Sequence, residues 1–297
     1  MSDIYGSEKK YKAALVARST VVYVFLVFIA LIILFPFYFM ILTSVKLEDQ
    51  VNSLTPIFWL SPREWQLVNF QSAWGAATFG RFLWNTLLSA SIATIGTVIT
   101  TVLAAFAFAR LNFKGRDTLF ALLLATMMIP GEMFVITNFI TVSKLGWYNI
   151  NNQTYWQAIL ALSVPFMTSV FYIYFLRQNF KQIPNELYYA AKVDGTSDFK
   201  YLFKVMVPIC ISTITTITIL NMMGTWNAYI WPNLVTTKEE YRLVSNGLRD
   251  GNFTVDSRPQ YTLQMAAATI VTAPLILVFL TLKKYIMRGV SRSGIKG

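Results

Sequence analysis

The chain has 297 residues, of which 55% are hydrophobic and only 13% charged, about half the roughly 25% of an ordinary soluble domain. It carries a net charge of +11, no histidine and one cysteine, Cys210. These counts exclude histidine-based acid–base catalysis, histidine metal sites, the common hydrolytic triads and a disulfide framework, and the absence of G-x-x-x-x-G-K-[ST] excludes a P-loop of the chain's own.

Charge-free runs lie between Arg18 and Lys46, Arg81 and Arg110, Lys144 and Arg177, Lys204 and Lys238, and Arg258 and Lys283. Each exceeds the ~20 residues that cross a bilayer core. A further run, 118–143, is interrupted once, by Glu132. The pattern predicts an all-α membrane protein with six spans, at about 19–44, 82–109, 118–141, 155–177, 206–232 and 263–284.

Residues 1–18 form a polar tail bearing Lys9, Lys10, Lys12 and Arg18. The apolar run behind it is far longer than the roughly 7–15 residues of a signal peptide and no A-x-A pattern follows, so an uncleaved first helix is expected. Pro36 within it is tolerated among neighbouring helices. Residues 46–80, with Pro56, Pro62 and three tryptophans, form an outer segment. The second span carries the small residues Ala90, Ser91, Ala93, Gly96, Ala104 and Ala105, which permit close helix approach. The third breaks at Pro130–Gly131, leaving Glu132 roughly 22 Å along the helix from the last inner charge. Glu132 reads either as an ion- or proton-coupling carboxylate or as a carboxylate at a broken helix end that reaches water.

With both termini cytoplasmic, the inner segments hold 17 Lys/Arg and 6 Asp/Glu, and the outer segments 8 and 8. The excess positive charge thus lies on one side, as the positive-inside rule requires, and a nucleic-acid reading lacks a soluble basic face to support it. This topology predicts a multi-pass protein of the plasma (inner) membrane. All eight tryptophans fall on its outer side, as an interfacial belt or a binding surface.

Between spans four and five, IPNELYYAAKVDGTSDFKYLFKVMVP (183–208) faces the cytoplasm. Asn185 suits an N-cap, with Glu186 in the first turn. Leu187, Ala190 and Ala191 share a face, Gly195 fits the residue that stops the helix, and Ser197 caps a second short helix. The spacing Ala190–Ala191, Gly195, Val205, Val207–Pro208 resembles the E-A-A-x3-G-x9-I-x-L-P loop of ABC-type importer permeases. RFLWNTLLSA, AAFAFARLNFKGRD, TWNAYIWPNLV and the terminal GVSRSGIKG are also similar to the carbohydrate-uptake, maltose-type permeases of that superfamily. In one departure, the family glutamate before the alanine pair is replaced by Tyr189, and Glu186 stands one turn earlier. Either Glu186 substitutes for it, or Tyr189 docks by packing.

The resemblance implies a type I ABC importer permease fold: a cytoplasmic tail 1–18, a six-helix permease domain 19–288 with a coupling loop at 183–205 and an outer loop at 236–260, and a cytoplasmic tail 289–297. It implies an ATP-driven, binding-protein-dependent importer of a carbohydrate, either an oligosaccharide or a glycoside. The expected partners are a second permease subunit that is a different chain, two cytoplasmic ATPase subunits and an external solute-binding protein, besides membrane lipid. ATP and Mg belong to the ATPases; this chain is expected to bind no cofactor or metal and to catalyse nothing. Glu186, Tyr189, Ala190, Ala191, Asp194 and Gly195 become the ATPase-docking residues. The outer loop would enter the binding protein's cleft, and the C-terminal tail would reach between the ATPases. For the solute path the polar and aromatic groups within spans are Asn85, Asn138, Asn221, Trp226, Asn227 and Gln264; amides suit hydroxyl-rich ligands, and interhelical hydrogen bonding is their alternative employment. The competing functions are a glycerol-phosphate-type importer, which would favour a basic residue in the path, and an ion-coupled secondary carrier using Glu132.

Overall fold

Backbone amides inside a bilayer have no water to bond, so apolar runs fold as helices and any break must find partners elsewhere in the protein. The computed structural model, which describes residues 2–76, 78–251, 253–255 and 258–291, follows that rule. Among the described residues, three helical stretches are long and apolar enough to cross a membrane: Leu15–Ser44, Phe79–Arg110 and Tyr261–Thr281. Three bent helix pairs bring the number to as many as six when each pair counts as one span.

The chain divides into two compact units. The first comprises residues 1–73 and 253–270. Its helix α1 runs unbroken over Ser2–Ser44, through Pro36. Residues 2–18 of the predicted polar tail are therefore helical and continuous with the apolar run, since this stretch has no proline and carries three Ala and three Lys. Past α1 the chain folds back: Leu42, Val45 and Leu60 form a small core with Phe70, and Asn69 Nδ2 donates to the carbonyls of Ser44 (3.0 Å) and Lys46 (2.8 Å). Two short helices, α2 (Glu48–Val51) and α3 (Val68–Ala76), belong to this segment. Glu48 accepts from the backbone N–H groups of Tyr261 and Thr262, each at 3.0 Å, and from the Thr262 hydroxyl at 2.7 Å. It thus caps α15 (Tyr261–Ser291), which begins in this unit, with a carboxylate placed where the helix dipole favours it. Strands β1 (Thr254–Val255) and β2 (Arg258–Pro259) pair antiparallel just before it.

The second unit, residues 74–252 and 271–297, is organised on α4 (Phe79–Arg110). One face of α4 is small and buried: Ser89, Ala90, Ala93, Thr97 and Ala105 have no exposed surface. Against it lie α7 (Tyr155–Ser163), α8 (Val170–Lys181) and α12 (Ile211–Trp226). A side chain at Gly96 would come within 2.5 Å of Met167 Cγ, so glycine is what allows α4 to touch the α7–α8 break.

The spans are less straight than the apolar runs suggest. α5 (Arg116–Thr126) and the segment containing α6 (Phe134–Lys144) meet at 85°, at the predicted Pro130–Gly131 break. The predicted spans 155–177 and 206–232 also bend, by 49° between Tyr155–Phe166 and Val170–Lys181 and by 80° between Asp198–Ile209 and α12. Pro165 and Pro208 each remove a backbone donor. At the first of these bends α4 supplies the missing partners: Thr97 Oγ1 donates to the carbonyl of Phe166 (2.8 Å) and Thr100 Oγ1 to that of Met167 (2.7 Å).

The outer loop is anchored along its first part. Its first part, with α13 (Ile230–Val235) before it and α14 (Val244–Asp250) within it, is sewn down rather than free. Gln153 bonds the Val235 carbonyl and the Thr237 N–H and hydroxyl. Val244 N donates to Thr86 Oγ1 (2.9 Å), and Gly247 lies so close to Phe82 that a β-carbon there would collide. Residues 252, 256 and 257 of this loop, and 292–297 of the predicted C-terminal tail, lie outside the described residues.

Candidate functional site

The segment after α8 begins with Pro184, whose fixed φ starts α9 (Asn185–Val193). Asn185 is thus the first helical residue and not the cap predicted for it. Its side-chain oxygen accepts from the Arg110 guanidinium, which also donates to the carbonyls of Phe180 (2.8 Å) and Ile183. The arginine ending α4 thereby clamps the root of α9.

The other end closes as predicted. Gly195 has φ +70°; its N–H donates to Lys192 O (3.0 Å) and that of Thr196 to Ala191 O (2.8 Å), the paired bonds of a Schellman stop. Ser197 then caps α10 (Asp198–Tyr201), its hydroxyl accepting from Lys200 N. Asp198 ties the two helices together, accepting from the Tyr188 hydroxyl (2.8 Å) and pairing with Lys192 (2.7 Å). The hydrogen bond to Asp198 holds the Lys192 ammonium above the ordinary lysine value. Burial, and then the same carboxylate, push the Tyr188 phenol up. Both keep their protons at neutral pH, so the clamp is intact there. Being exposed, it fixes orientation more than it adds stability.

Only Tyr188 and Ala191 of α9 are partly buried, and Leu187, predicted to share a face with the alanine pair, is exposed. Tyr188 and Ala191 turn inward, against a core containing Phe180, Ile183, Tyr201 and Leu202, with the Tyr188 and Tyr201 rings 5.1 Å apart. Glu186, Tyr189, Ala190 and Val193 are exposed, at the i, i+3, i+4, i+7 spacing of one helix stripe. The alanine pair is therefore split: Ala190 is presented and Ala191 seats the helix. Glu186 and Tyr189 stand on the same stripe, one turn apart. Asp194 and Gly195 are exposed at its end. Val193, 88% exposed, was not singled out from the sequence, although the i+7 spacing from Glu186 pointed to it.

From α10 the chain continues through a π-helical turn, Leu202–Met206, and α11 (Val207–Ile209) into α12. One face of α12 lines a cavity of about 230 Å³ with Asn221, Gly224 and Thr225, opposite Phe166, Tyr172 and Trp231. Trp231 is fixed there by its Nε1 donating to Ala161 O (3.0 Å) and by edge-on contact with Phe166 at 5.6 Å. Asn221 Nδ2 donates to Thr94 Oγ1 (3.1 Å) and its backbone carbonyl accepts from the Thr225 hydroxyl (3.2 Å), while its side-chain oxygen Oδ1 has no donor among the described residues. Among the described residues, no acidic or basic side chain lines the cavity.

The other polar residues predicted for a path are dispersed. Asn85 is fully buried and in use: Nδ2 donates to the carbonyls of Glu240 (2.8 Å) and Arg242 (3.0 Å), and Oδ1 accepts from Tyr155 (3.0 Å). Trp226, 3% exposed, borders a separate apolar chamber with Met222, Met223 and Pro274, and its Nε1 finds no hydrogen-bond partner among the described residues. Asn227 is exposed and donates to Met223 O (2.9 Å) at the end of α12. Asn138 is half-buried on α6, and Gln264 half-buried on α15 in the first unit. Glu132 is exposed in the turn Gly131–Met133. Tyr172 and Gly224, which do line the cavity, gave no distinguishing signal in the sequence, and Trp231 stood out only as one of the eight outer tryptophans.

Comparison with known proteins places this architecture. The chain is similar to the probable ABC transporter permease protein YurM of Bacillus subtilis, 29% identical over 281 residues covering 94% of this chain and 89% of that one. The arabinooligosaccharides transport system permease protein AraQ of the same organism is 25% identical, over 92% of this chain and 94% of that one. The sn-glycerol-3-phosphate transport system permease protein UgpE of Yersinia enterocolitica is 25% identical, with 90% and 94% covered. Among solved structures, a chain of a bacterial ABC transporter involved in the import of the acidic polysaccharide alginate superposes with a TM-score of 0.77 at 22% identity, over 90% of this chain and 95% of that one. A family model described as the binding-protein-dependent transport system inner membrane component matches residues 96–292, more than half the chain. With its bent spans, its clamped inter-span helix and this match, the chain belongs to the binding-protein-dependent inner membrane components of ABC transporters and has the type I importer permease fold.

Proposed function

We propose that the chain is one of two different permease subunits in an ATP-driven, binding-protein-dependent carbohydrate importer. It crosses the membrane six times with both termini in the cytoplasm, and α9 is its coupling helix. One observation carries the reading. A single continuous run, residues 185–228, has an unpartnered stripe on a doubly stopped helix at one end and the wall of the polar–aromatic cavity at the other. Closure of two ATPase subunits moves α9 as a rigid body, because Arg110 and Asp198 hold its two ends. That displacement passes through the π-helical turn and the 80° bend into α12, where it reshapes the cavity wall; packed elements switch between discrete arrangements in this way. An external binding protein delivers the solute from the opposite side, and ATP and Mg are bound by the ATPases.

The cavity's chemistry favours a neutral, hydroxyl-rich solute. Aromatic faces cover the apolar side of a sugar ring, while Asn221 and Thr225 offer hydrogen bonds. A glycerol-phosphate-type solute, suggested by the likeness to UgpE, would need a cation supplied by the second permease. An ion-coupled carrier would need Glu132, which is not among the residues lining this cavity. Uptake of labelled sugars by the reconstituted complex is expected to require ATP and the binding protein. Uptake by this chain without an ATPase, down an ion gradient, would refute the reading.

A further inference from the structure

Between α4 and the stretch from the π-helical turn into α12 lies a groove of about 160 Å³ whose lining among the described residues is wholly apolar. Ile99, Val102 and Leu103 of α4 form one wall, and Phe203, Val207 and Ile214 the other. Ile99 and Phe203 are more than half exposed, so the groove opens outward. Leu103 and Ile99 stand seven and eleven residues before Arg110, or about 10 and 16 Å along the helix. That is the depth of acyl chains beneath a charged membrane surface.

Two lysines flank the groove residue Phe203 in the chain, Lys200 three residues before it and Lys204 directly after it. Lys200 and Lys204 are exposed. Asp198, the carboxylate closest in sequence, is taken by Lys192 and Tyr188, and neither Lys200 nor Lys204 has an ion-pair partner among the described residues.

We propose that the groove holds one acyl chain of an anionic phospholipid, with the lipid phosphate between Lys200 and Lys204. A hydrocarbon tail fits a lining without polar groups, and a phosphate without its own cation neutralises two otherwise unpaired ammonium groups. The bound phosphate would sit at the π-helical turn that links α9 to α12. The proposal requires that α4 crosses a bilayer and does not depend on α9 docking an ATPase.

The test is native mass spectrometry of the delipidated full-length chain, titrated with phosphatidylglycerol and with phosphatidylcholine. Wild type is expected to retain phosphatidylglycerol about 25-fold more tightly, a factor of about 5 from each lysine. The double variant Lys200→Gln/Lys204→Gln should lose that preference yet bind phosphatidylcholine as before, which also reports an intact groove. Ile99→Trp, at an exposed position, should weaken both lipids together and leave their ratio unchanged. Equal binding of the two lipids by wild type, or an undiminished preference in the double variant, would overturn the proposal. So would efficient cross-linking of a Phe203→Cys variant to the second permease in the assembled complex.

Discussion

Replacing Gly195 with residues of graded tolerance for a positive φ should uncouple transport in the same order. The backbone there sits at φ +70°, and no atom lies within 4 Å of where a β-carbon would project. Substitution therefore perturbs conformation without a clash. Asparagine visits the left-handed region readily and should retain near-native transport. Alanine costs roughly 1–2 kcal/mol there, which lowers the population of the stopped helix about 5- to 30-fold relative to alternatives. Valine, β-branched, is worse. Proline cannot adopt this φ and also removes the N–H that donates to Lys192 O. The assay is binding-protein-stimulated ATP hydrolysis by the reconstituted complex, normalised to the amount of this chain in the membrane. The expected order is Gly ≈ Asn > Ala > Val > Pro at constant membrane abundance. Equal activity of the Asn and Val variants, or a loss that merely tracks lost protein, would refute the claim that the stop at Gly195 sets the lever.

Asn85→Ala removes three hydrogen bonds joining α4 to Tyr155 and the 240–242 segment. It should destabilise the fold by about 2–3 kcal/mol and leave solute affinity unchanged, as read by thermal unfolding in detergent beside solute binding. Asn221→Ala should show the reverse pattern, with solute affinity lost and the unfolding midpoint within a few degrees of wild type. Gly224→Leu, at a helix position with open space around it, should narrow the cavity and reject larger sugars before smaller ones in competition uptake. Val193→Asp should abolish co-purification of the ATPase while the chain still reaches the membrane; unchanged co-purification would remove Val193 from the docking stripe.

The spans were legible because a bilayer admits so few backbone solutions: a long charge-free run has to become helix. Their bends were legible only where the sequence marks them locally, as Pro130–Gly131 does. The break after Phe166 depends on Thr97 and Thr100, nearly 70 residues away, and no local pattern announces such a partner. Asn85 illustrates the same limit. An amide inside an apolar run has the same sequence signature whether it awaits a solute or braces a loop, and its carbonyl partners lie 155 and 157 residues on. The segment 183–208 was the most readable part, since its stop at Gly195 and its Ser197 cap are short-range chemistry. Even so, the split between Ala190 and Ala191 required knowing which side of α9 the Tyr201 core occupies. The Asn185 cap failed for a similar reason: Arg110, from another helix, claims its side chain.

The account rests on α9 presenting one stripe to a separate ATPase, and cysteine cross-linking reads that stripe directly. In the assembled complex, Ala190→Cys and Val193→Cys are predicted to cross-link to the ATPase subunit, and Ala191→Cys, turned into the chain's own core, is predicted not to. Cross-linking from Ala191→Cys, or none from Ala190→Cys and Val193→Cys, would contradict it.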